Sequence, residues 1–358
     1  MSTEALKTLL NNYQLPTPLG FGQEFAPVMY RADYCDSRWQ QGTLQAFGEI
    51  RINPAATAVQ FAQQAFEGMK AYQVNQATPA LFRPEINLRR LNRSAGRLCM
   101  PDVPAELFAQ ALTSVIKACQ PFIPGSTGQS LYLRPTLLGT DPNFAVKSSE
   151  KFTFLVLASP SDAYYAAPIK VMIERNDCRA ALGGTGANKV GGNYGASLQA
   201  TQKSIDLGYD QPLWLDPVEL NIEELSGMNF MAIIDGALHT PKLNGSILPG
   251  ITRDSLLTLA HQLKIKVVER TMPVDELLND IDTGRCSELF ASGTAAIICP
   301  LSELGEADGT RRQLPQVDNL AAKLKRALLD IQEGYALDMF GWMVTASDTE
   351  QLYKRLKA

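Results

Sequence analysis

The stretch GGTGANKVGGNYGAS (183–197) sets a single basic residue, Lys189, among five glycines ending at Gly192. Glycine lets a backbone run close to a ligand or adopt positive φ, so a lysine in such a run is placed for access. A lone lysine in a glycine-rich loop is more often a solvated charge on a surface turn. Lys189 is therefore a first candidate for chemistry, to be weighed against the rest of the chain.

Outward from this loop the pattern alternates between helical and strand periods. After it, a helix is expected from about Gly195 to Leu207, stopped by Gly208. A strand at LWL (213–215) and a hairpin across FMAIIDGALHT (230–240), turning at Asp235-Gly236, follow. Before the loop, IKVMI (169–173) reads as a strand, and SPSDAYYAAP (159–168), small, polar and bounded by prolines, reads as an interdomain linker. FTFLVLA (152–158) has the content of a buried strand. Asp102 is expected to cap a helix through Cys119 on which Phe108, Leu112, Val115 and Cys119 share a face, and INLRRLNRSAGRLCMP (86–101) reads as a basic-faced helix ended by Pro101. Near the C-terminus Leu320, Leu324, Ala327, Leu328 and Ile331 make one apolar stripe. Core packing accounts for all of these.

At 358 residues the chain exceeds one ordinary core, so two domains are expected. Hydrophobic residues make up 45% and charged residues 20%, as in a soluble globular enzyme. The net charge is −4 with no basic block, which excludes a nucleic-acid partner. Glu4, Asn11 and Asn12 break up the N-terminal apolar residues, unlike a signal peptide, and LFASGTAAIICPL (289–301) is too short and glycine-broken to span a bilayer, so a cytoplasmic protein without a membrane partner is expected. The six cysteines are scattered with no CxxC pair, against a zinc site or dithiol switch; no metal is expected, and most should be reduced core residues. Only His239 and His261 are present, neither in a motif, so proton transfer falls to lysine, tyrosine, a carboxylate or a cofactor.

Four further segments carry candidate chemistry. In LNGSILPGITRDSLLTLAHQL (243–263) a helix starts near Thr252 after Pro249-Gly250, offering N–H groups and a hydroxyl to an anion. In NIEELSGMNF (221–230), Glu223 and Glu224 precede a turn; such pairs usually lie on a solvated face. FASGTAAII (290–298) suggests a tight turn between buried segments, with N–H groups for a carboxylate or phosphate. In LYLRP (131–135), Tyr132 and Arg134 share one strand face, and the arginine is either ion-paired structure or a carboxylate fork. Singly, each favours a structural role. Together they supply a lysine for a Schiff base, an acid for a ring nitrogen, an anion cradle and a carboxylate grip, the needs of pyridoxal phosphate.

The ordered set AFEGMKAY (65–72), LFRPEINLRRLNRSAGRLCMP (81–101), LYLRPTLLG (131–139), the Lys189 loop, LPGITR (248–253) and SGTAA (292–296) resembles the branched-chain amino-acid aminotransferases, fold type IV pyridoxal phosphate enzymes, from about Phe61 to the last helix. The longer motifs are similar to the larger subgroup shared with eukaryotes. The resemblance implies a two-domain α/β (α+β) fold: a smaller N-terminal domain over 1–160, a linker over 161–175, and a larger C-terminal domain over 176–358 that has a barrel-like sheet and carries the lysine. The cofactor would lie between the domains.

By motif position, the resemblance implies that Lys189 holds pyridoxal 5'-phosphate as a Schiff base and shuttles the substrate proton. Glu224 would pair with the ring nitrogen and Tyr194 with the phenolic oxygen. Arg90, rather than Arg83 or Arg89, would bind the phosphate with Ile251 and Thr252. Thr294 and Ala295 would hold the substrate α-carboxylate. Phe66 and Tyr164 would accept an aliphatic side chain, and Tyr132 and Arg134 the γ-carboxylate of glutamate. The expected reaction is ping-pong transamination of leucine, isoleucine and valine with 2-oxoglutarate, by a homodimer.

Three positions depart from the family pattern. Phe61 stands where a tyrosine is usual, Gly227 where the larger subgroup has threonine, and only Cys299 remains of the redox CxxC of some members. The first two bear on substrate range. A related type IV enzyme acting on D-amino acids or aminodeoxychorismate, or a non-catalytic descendant, is the alternative. A nucleotide-binding oxidoreductase is excluded because no strand-GxGxxG-helix unit is present.

Overall fold

The computed structural model describes residues 3–73, 75, 78–162, 167–314 and 320–357. The chain divides into two compact units: Met1–Tyr164 with Asn188–Gly192 and Asp330–Ala358, and Tyr165–Ala187 with Asn193–Leu329.

The first unit is built on an antiparallel sheet whose order runs Met343–Thr345, Ala80–Phe82, Met69–Tyr72, Ser130–Gly139, Phe152–Ser161, Val28–Cys35, Arg38–Trp39. Thr43–Ala46 also pairs with Val28–Cys35, and Gln64–Phe66 with Ser130–Gly139. The expected strand at 152–158 lies at the heart of this sheet, paired along its length with Ser130–Gly139. Helices Pro84–Arg97, Ala105–Cys119 and Thr349–Lys357 contribute Leu88, Leu91, Phe108, Leu112, Val115, Leu352 and Leu356 to one core with the strands. The periodic face from Phe108 to Cys119 is fully buried, as its spacing predicts. Asp102 does not cap this helix: Pro104 holds the cap position, its carbonyl accepting the N–H of Phe108, while the Asp102 carbonyl accepts Trp39 Nε1–H. The preceding helix ends at Arg97, short of Pro101.

The second unit is a barrel. Ile169–Glu174, Gln211–Leu215, Ile222–Leu225, Asn229–Ile234, Cys286–Gly293 and Ile297–Gly305 pair in a ring, each with the next and the last with the first. Closure of the ring removes sheet edges, and Val171, Leu213, Leu225, Phe230, Leu289 and Leu301 fill the unit's core. Ala237–Pro241 and Val267–Arg270 extend the sheet from Asn229–Ile234. Asp235 and Gly236 both take positive φ, 49° and 73°, the primed turn that their sequence predicts for a hairpin.

The division differs from the expected boundaries. Residues 330–358 belong with the first unit because Met343–Thr345 adds an edge strand to Ala80–Phe82 and the last helix buries Leu352 and Leu356 in that core. Residues 188–192 join it as well, through the bridge between Ala65 and Val190. Lys189 therefore sits with the N-terminal part of the chain, which makes the first unit the longer one. Residues 169–174 form a barrel strand, not part of a linker.

The helix after the lysine loop spans Gly191–Asp206 and begins earlier than expected, since tertiary context overrides the low propensity of two glycines in a first turn. Cys119, Cys286 and Cys299 are buried, Cys35 is half-buried, Cys99 and Cys178 are exposed, and all six thiols are free. Among the described residues no helix is long and apolar enough to cross a membrane.

Candidate active site

In the first unit, the Lys189 backbone is pinned on both sides. Its N–H donates to Ser94 Oγ at 2.9 Å, and its carbonyl accepts the N–H of Phe66 at 3.0 Å. Ser94 lies one turn beyond Arg90 on helix Pro84–Arg97 and itself donates to the Arg90 carbonyl. The lysine is thus tied by main chain both to the helix carrying Arg90 and to the strand carrying Phe66. Its half-buried side chain lays Nζ 4.9 Å from the Phe66 ring centre, and the Arg134 guanidinium approaches the same ring, also at 4.9 Å. Arg134 Nη2–H donates to Tyr132 Oη at 3.1 Å, so the two residues share a strand face as their alternation requires.

The structure separates the three candidate arginines. Arg89 is exposed; Arg83 stands before the helix and lies over Trp342; Arg90 is buried. Arg90 makes a two-pronged contact with Glu67, Nε to Oε1 at 2.6 Å and Nη2 to Oε2 at 2.8 Å. Asn87 Nδ2–H and the Gly68 N–H also donate to this carboxylate. Burial alone would push the Glu67 carboxyl up; the Arg90 charge and hydrogen bonds, the Lys189 charge and Asn87 outweigh it and hold the group below its ordinary range.

In the second unit, Glu223 and Glu224 are both buried, against the expectation of a solvated pair. As neighbours on a strand they serve different partners. Glu223 accepts Ser246 Oγ–H and Asn244 Nδ2–H. Glu224 Oε1 accepts the Leu248 N–H at 2.9 Å and lies 2.7 Å from Arg179 Nη2 in an ion pair, while Oε2 accepts Asn229 Nδ2–H at 3.0 Å. Asn229 also donates to the Leu248 carbonyl at 2.8 Å, so acid and amide together hold the loop that leads into helix Ile251–Gln262. A Cβ on Gly250 would fall 2.0 Å from Asn229 Oδ1, so a larger residue at this helix N-cap would displace the Asn229 amide. Ile251 and Thr252 follow, buried, in the first turn, at the positive end of the helix dipole.

Thr294 and Ala295 form the tight turn between Cys286–Gly293 and Ile297–Gly305, half-buried, as the pattern of small residues predicts. Ile297 closes it with φ of 61°, a strained conformation for a β-branched residue. Tyr194 lies half-buried in the first turns of Gly191–Asp206. Tyr164 lies outside the described residues. Phe61 is 42% exposed at the end of the short helix Thr57–Gln60, and Gly227 has no atom within 4 Å of where a side chain would begin.

Glu67, Asn87, Ser94, Arg179 and Asn229 hold the candidate residues in place but carry no signal of their own in the sequence. Glu67 stands inside AFEGMKAY and Asn229 beside Met228, so motif context was the only pointer to them. The glycines also divide by task. Gly183 takes positive φ, and a Cβ on Gly186 would lie 2.0 Å from the Ser246 carbonyl oxygen and 2.6 Å from Ala180 Cβ, whereas Gly192 and Gly195 have open space. Gly186→Ala is expected to push the lysine loop away from Ser246 and to lower activity at least about tenfold, since small displacements of reacting groups carry large rate costs; Gly195→Ala should leave it within about twofold. Steady-state rates of the two variants check this, and equal effects would contradict it.

The amino-transferase class IV family model matches residues 64–304. Branched-chain-amino-acid transaminase 1 of Bacillus subtilis (strain 168) is 37% identical over 342 residues, 92% of this chain and 94% of that protein. A probable branched-chain-amino-acid aminotransferase of Staphylococcus aureus (strain N315) is 42% identical over 351 residues, covering 95% of this chain and 96% of its own. Among solved structures, the branched-chain amino acid aminotransferase from Escherichia coli aligns with a TM-score of 0.72 at 26% identity, over 89% of this chain and 99% of that one. The T.th. branched-chain amino acid aminotransferase with pyridoxamine 5'-phosphate aligns with a TM-score of 0.73 at 25% identity, over 90% and 100%. Similarity on this scale, sustained over almost the full length of the relatives, makes this chain a member of the amino-transferase class IV family and, within it, of the branched-chain-amino-acid aminotransferases.

Proposed function

We propose that this aminotransferase interconverts L-leucine, L-isoleucine and L-valine with their 2-oxo acids, using 2-oxoglutarate and L-glutamate as the second pair, with pyridoxal 5'-phosphate as cofactor. The observation that carries the substrate reading is the Phe66 ring, approached at 4.9 Å by both Lys189 Nζ and the Arg134 guanidinium. An amine that can move a proton, an apolar ring for an aliphatic side chain and a cation for a second carboxylate meet at one residue.

The buried donor set suits the cofactor. Glu224 is an acceptor for a protonated ring nitrogen, held by two donors and the Arg179 ion pair. Arg90 is fixed on Glu67 through Nε and Nη2 and would bring a positive charge to the phosphate. Ile251 and Thr252 add the helix N-terminus, and Tyr194 a phenol. Pyridoxal phosphate, when bound, supplies an electron sink for the carbanion left when the substrate α-proton departs. Lys189 would hold it covalently and, once displaced, carry the proton from the substrate Cα. Thr294 and Ala295 would orient the α-carboxylate through backbone N–H groups, and Tyr132 and Arg134 would take the γ-carboxylate of glutamate. Phe66 and Tyr164 would exclude water around the aliphatic chain.

The family resemblance supports reading it as a homodimer working in the cytoplasm. Purified protein should show a yellow absorbance band, lose it on borohydride reduction with the label on the Lys189 peptide, and convert leucine with 2-oxoglutarate to glutamate. Colourless protein that binds no pyridoxal phosphate would overturn the cofactor reading; a bound cofactor without turnover of leucine, isoleucine or valine would overturn the substrate reading alone.

A further inference from the structure

Arg179 lies between strand Ile169–Glu174 and the lysine loop, and its side chain is almost fully buried. Its Nη2 donates to the Gly186 carbonyl at 3.1 Å and to the Ser246 carbonyl, and lies 2.7 Å from Glu224 Oε1 in an ion pair. Each belongs to a different candidate segment. Gly186 is in the loop leading to Lys189, Glu224 is the candidate acid, and Ser246 stands shortly before Leu248, whose N–H binds the same Glu224 oxygen. One guanidinium thus ties together the lysine loop, the acid and the loop that opens helix Ile251–Gln262.

Hydrogen bonding alone does not require an arginine here, because Asn229 and the Leu248 N–H already donate to both Glu224 oxygens. What arginine adds is a permanent positive charge, which keeps a buried carboxylate ionised. A buried ion pair gives little net stability over a well-packed apolar pair, so stability does not explain its presence either.

We propose that Arg179 is a positioning residue for transamination: it holds Glu224 charged and fixed against the Gly186 and Ser246 carbonyls of the same unit, so that Glu224 can keep the ring nitrogen of bound pyridoxal phosphate protonated. This rests on the cofactor reading above. Arg179 itself touches neither substrate nor cofactor and acts through Glu224.

The test reconstitutes wild-type protein, R179K and R179Q with pyridoxal phosphate labelled with ¹⁵N in the ring, and follows the ring-nitrogen resonance against pH alongside the cofactor dissociation constant. The wild type should keep the protonated signal through the neutral range. In R179Q the signal should titrate at lower pH and the dissociation constant should rise. R179K, which keeps the charge without the planar fork, should fall between the two. Should R179Q not fold, R179K decides through the same titration. Variants with a wild-type ring-nitrogen titration, even if the apoprotein melts earlier, would overturn the assignment and leave Arg179 a purely structural residue. Wild-type protein that takes up no pyridoxal phosphate would overturn the cofactor reading and this assignment with it.

Discussion

Lys189→Ala is expected to lower transamination of leucine by at least about a thousandfold, within the range for losing a positioned proton-transfer group, and to abolish borohydride labelling. The backbone ties of the loop should survive. Alanine keeps the N–H bond to Ser94 and the carbonyl bond from Phe66, which are main-chain contacts. The approach of Nζ to the Phe66 ring is lost, worth about 0.5–1 kcal/mol for a partly exposed cation. Added methylamine should restore part of the rate, because a free amine can reach the space vacated by the side chain. Rates with and without amine, together with thermal melting of the apoprotein, separate chemistry from stability. A variant retaining a tenth or more of the wild-type rate, expressed as roughly 1.4 kcal/mol in the barrier, would remove Lys189 from the reaction.

The second large effect concerns the Glu67–Arg90 pair, whose side chains are 0% and 7% exposed. Glu67→Gln leaves a buried guanidinium without this counter-charge, and Arg90→Met leaves a buried carboxylate with Asn87 and the Gly68 N–H as its hydrogen-bond donors. Each single change should destabilise the first unit by about 3–5 kcal/mol, and the double variant E67Q/R90M should recover most of it, because the cost lies in the unpaired charge. Urea unfolding of the apoproteins measures this. If the single changes cost less than about 1 kcal/mol, as exposed pairs do, the pair is effectively solvated.

The same pair sets an acid limb. Because the folded-state carboxyl of Glu67 lies below its ordinary value of 4.5, its contribution is fully present above that pH and is lost as pH falls through the lower folded value. Wild-type stability should therefore drop below about pH 4.5 more steeply than that of Glu67→Gln. Cofactor affinity adds a second readout. Arg90→Met should bind pyridoxal phosphate more weakly even where the apoprotein is folded, whereas a purely structural arginine would leave the dissociation constant unchanged.

Local signals carried far in this chain. The Asp235-Gly236 turn, the strand over 152–158, the buried stripe through Phe108 and Cys119, and the small-residue turn at Thr294 all follow from periodicity, turn chemistry and β-propensity, which act over a few residues, whereas 159–161, read as linker, continue that strand. Boundaries failed where two local rules competed. Asp102 is a good cap residue, but Pro104 already has the extended backbone that a cap needs, so the helix starts after the proline. Gly191 and Gly192 argue against a helix, yet the helix begins there.

The sequence by itself determined the candidate chemistry of this protein: one lysine among glycines, Arg90 and Glu224 in their motifs, a glycine before the helix at Ile251, and the scarcity of histidine. These features are legible because each is a residue type demanded by its own local conformation or reaction. Only the tertiary structure decided how those groups are held. It paired Arg90 with Glu67, 23 residues away, turned Glu223 toward Ser246 and Glu224 toward Leu248, brought Arg179 onto that acid, and placed Lys189 and the C-terminal helix with the N-terminal part of the chain. Such pairings depend on which strands and loops become neighbours once the sheets close. A buried charge takes its partner from whatever the fold brings within reach, and no local spacing records it.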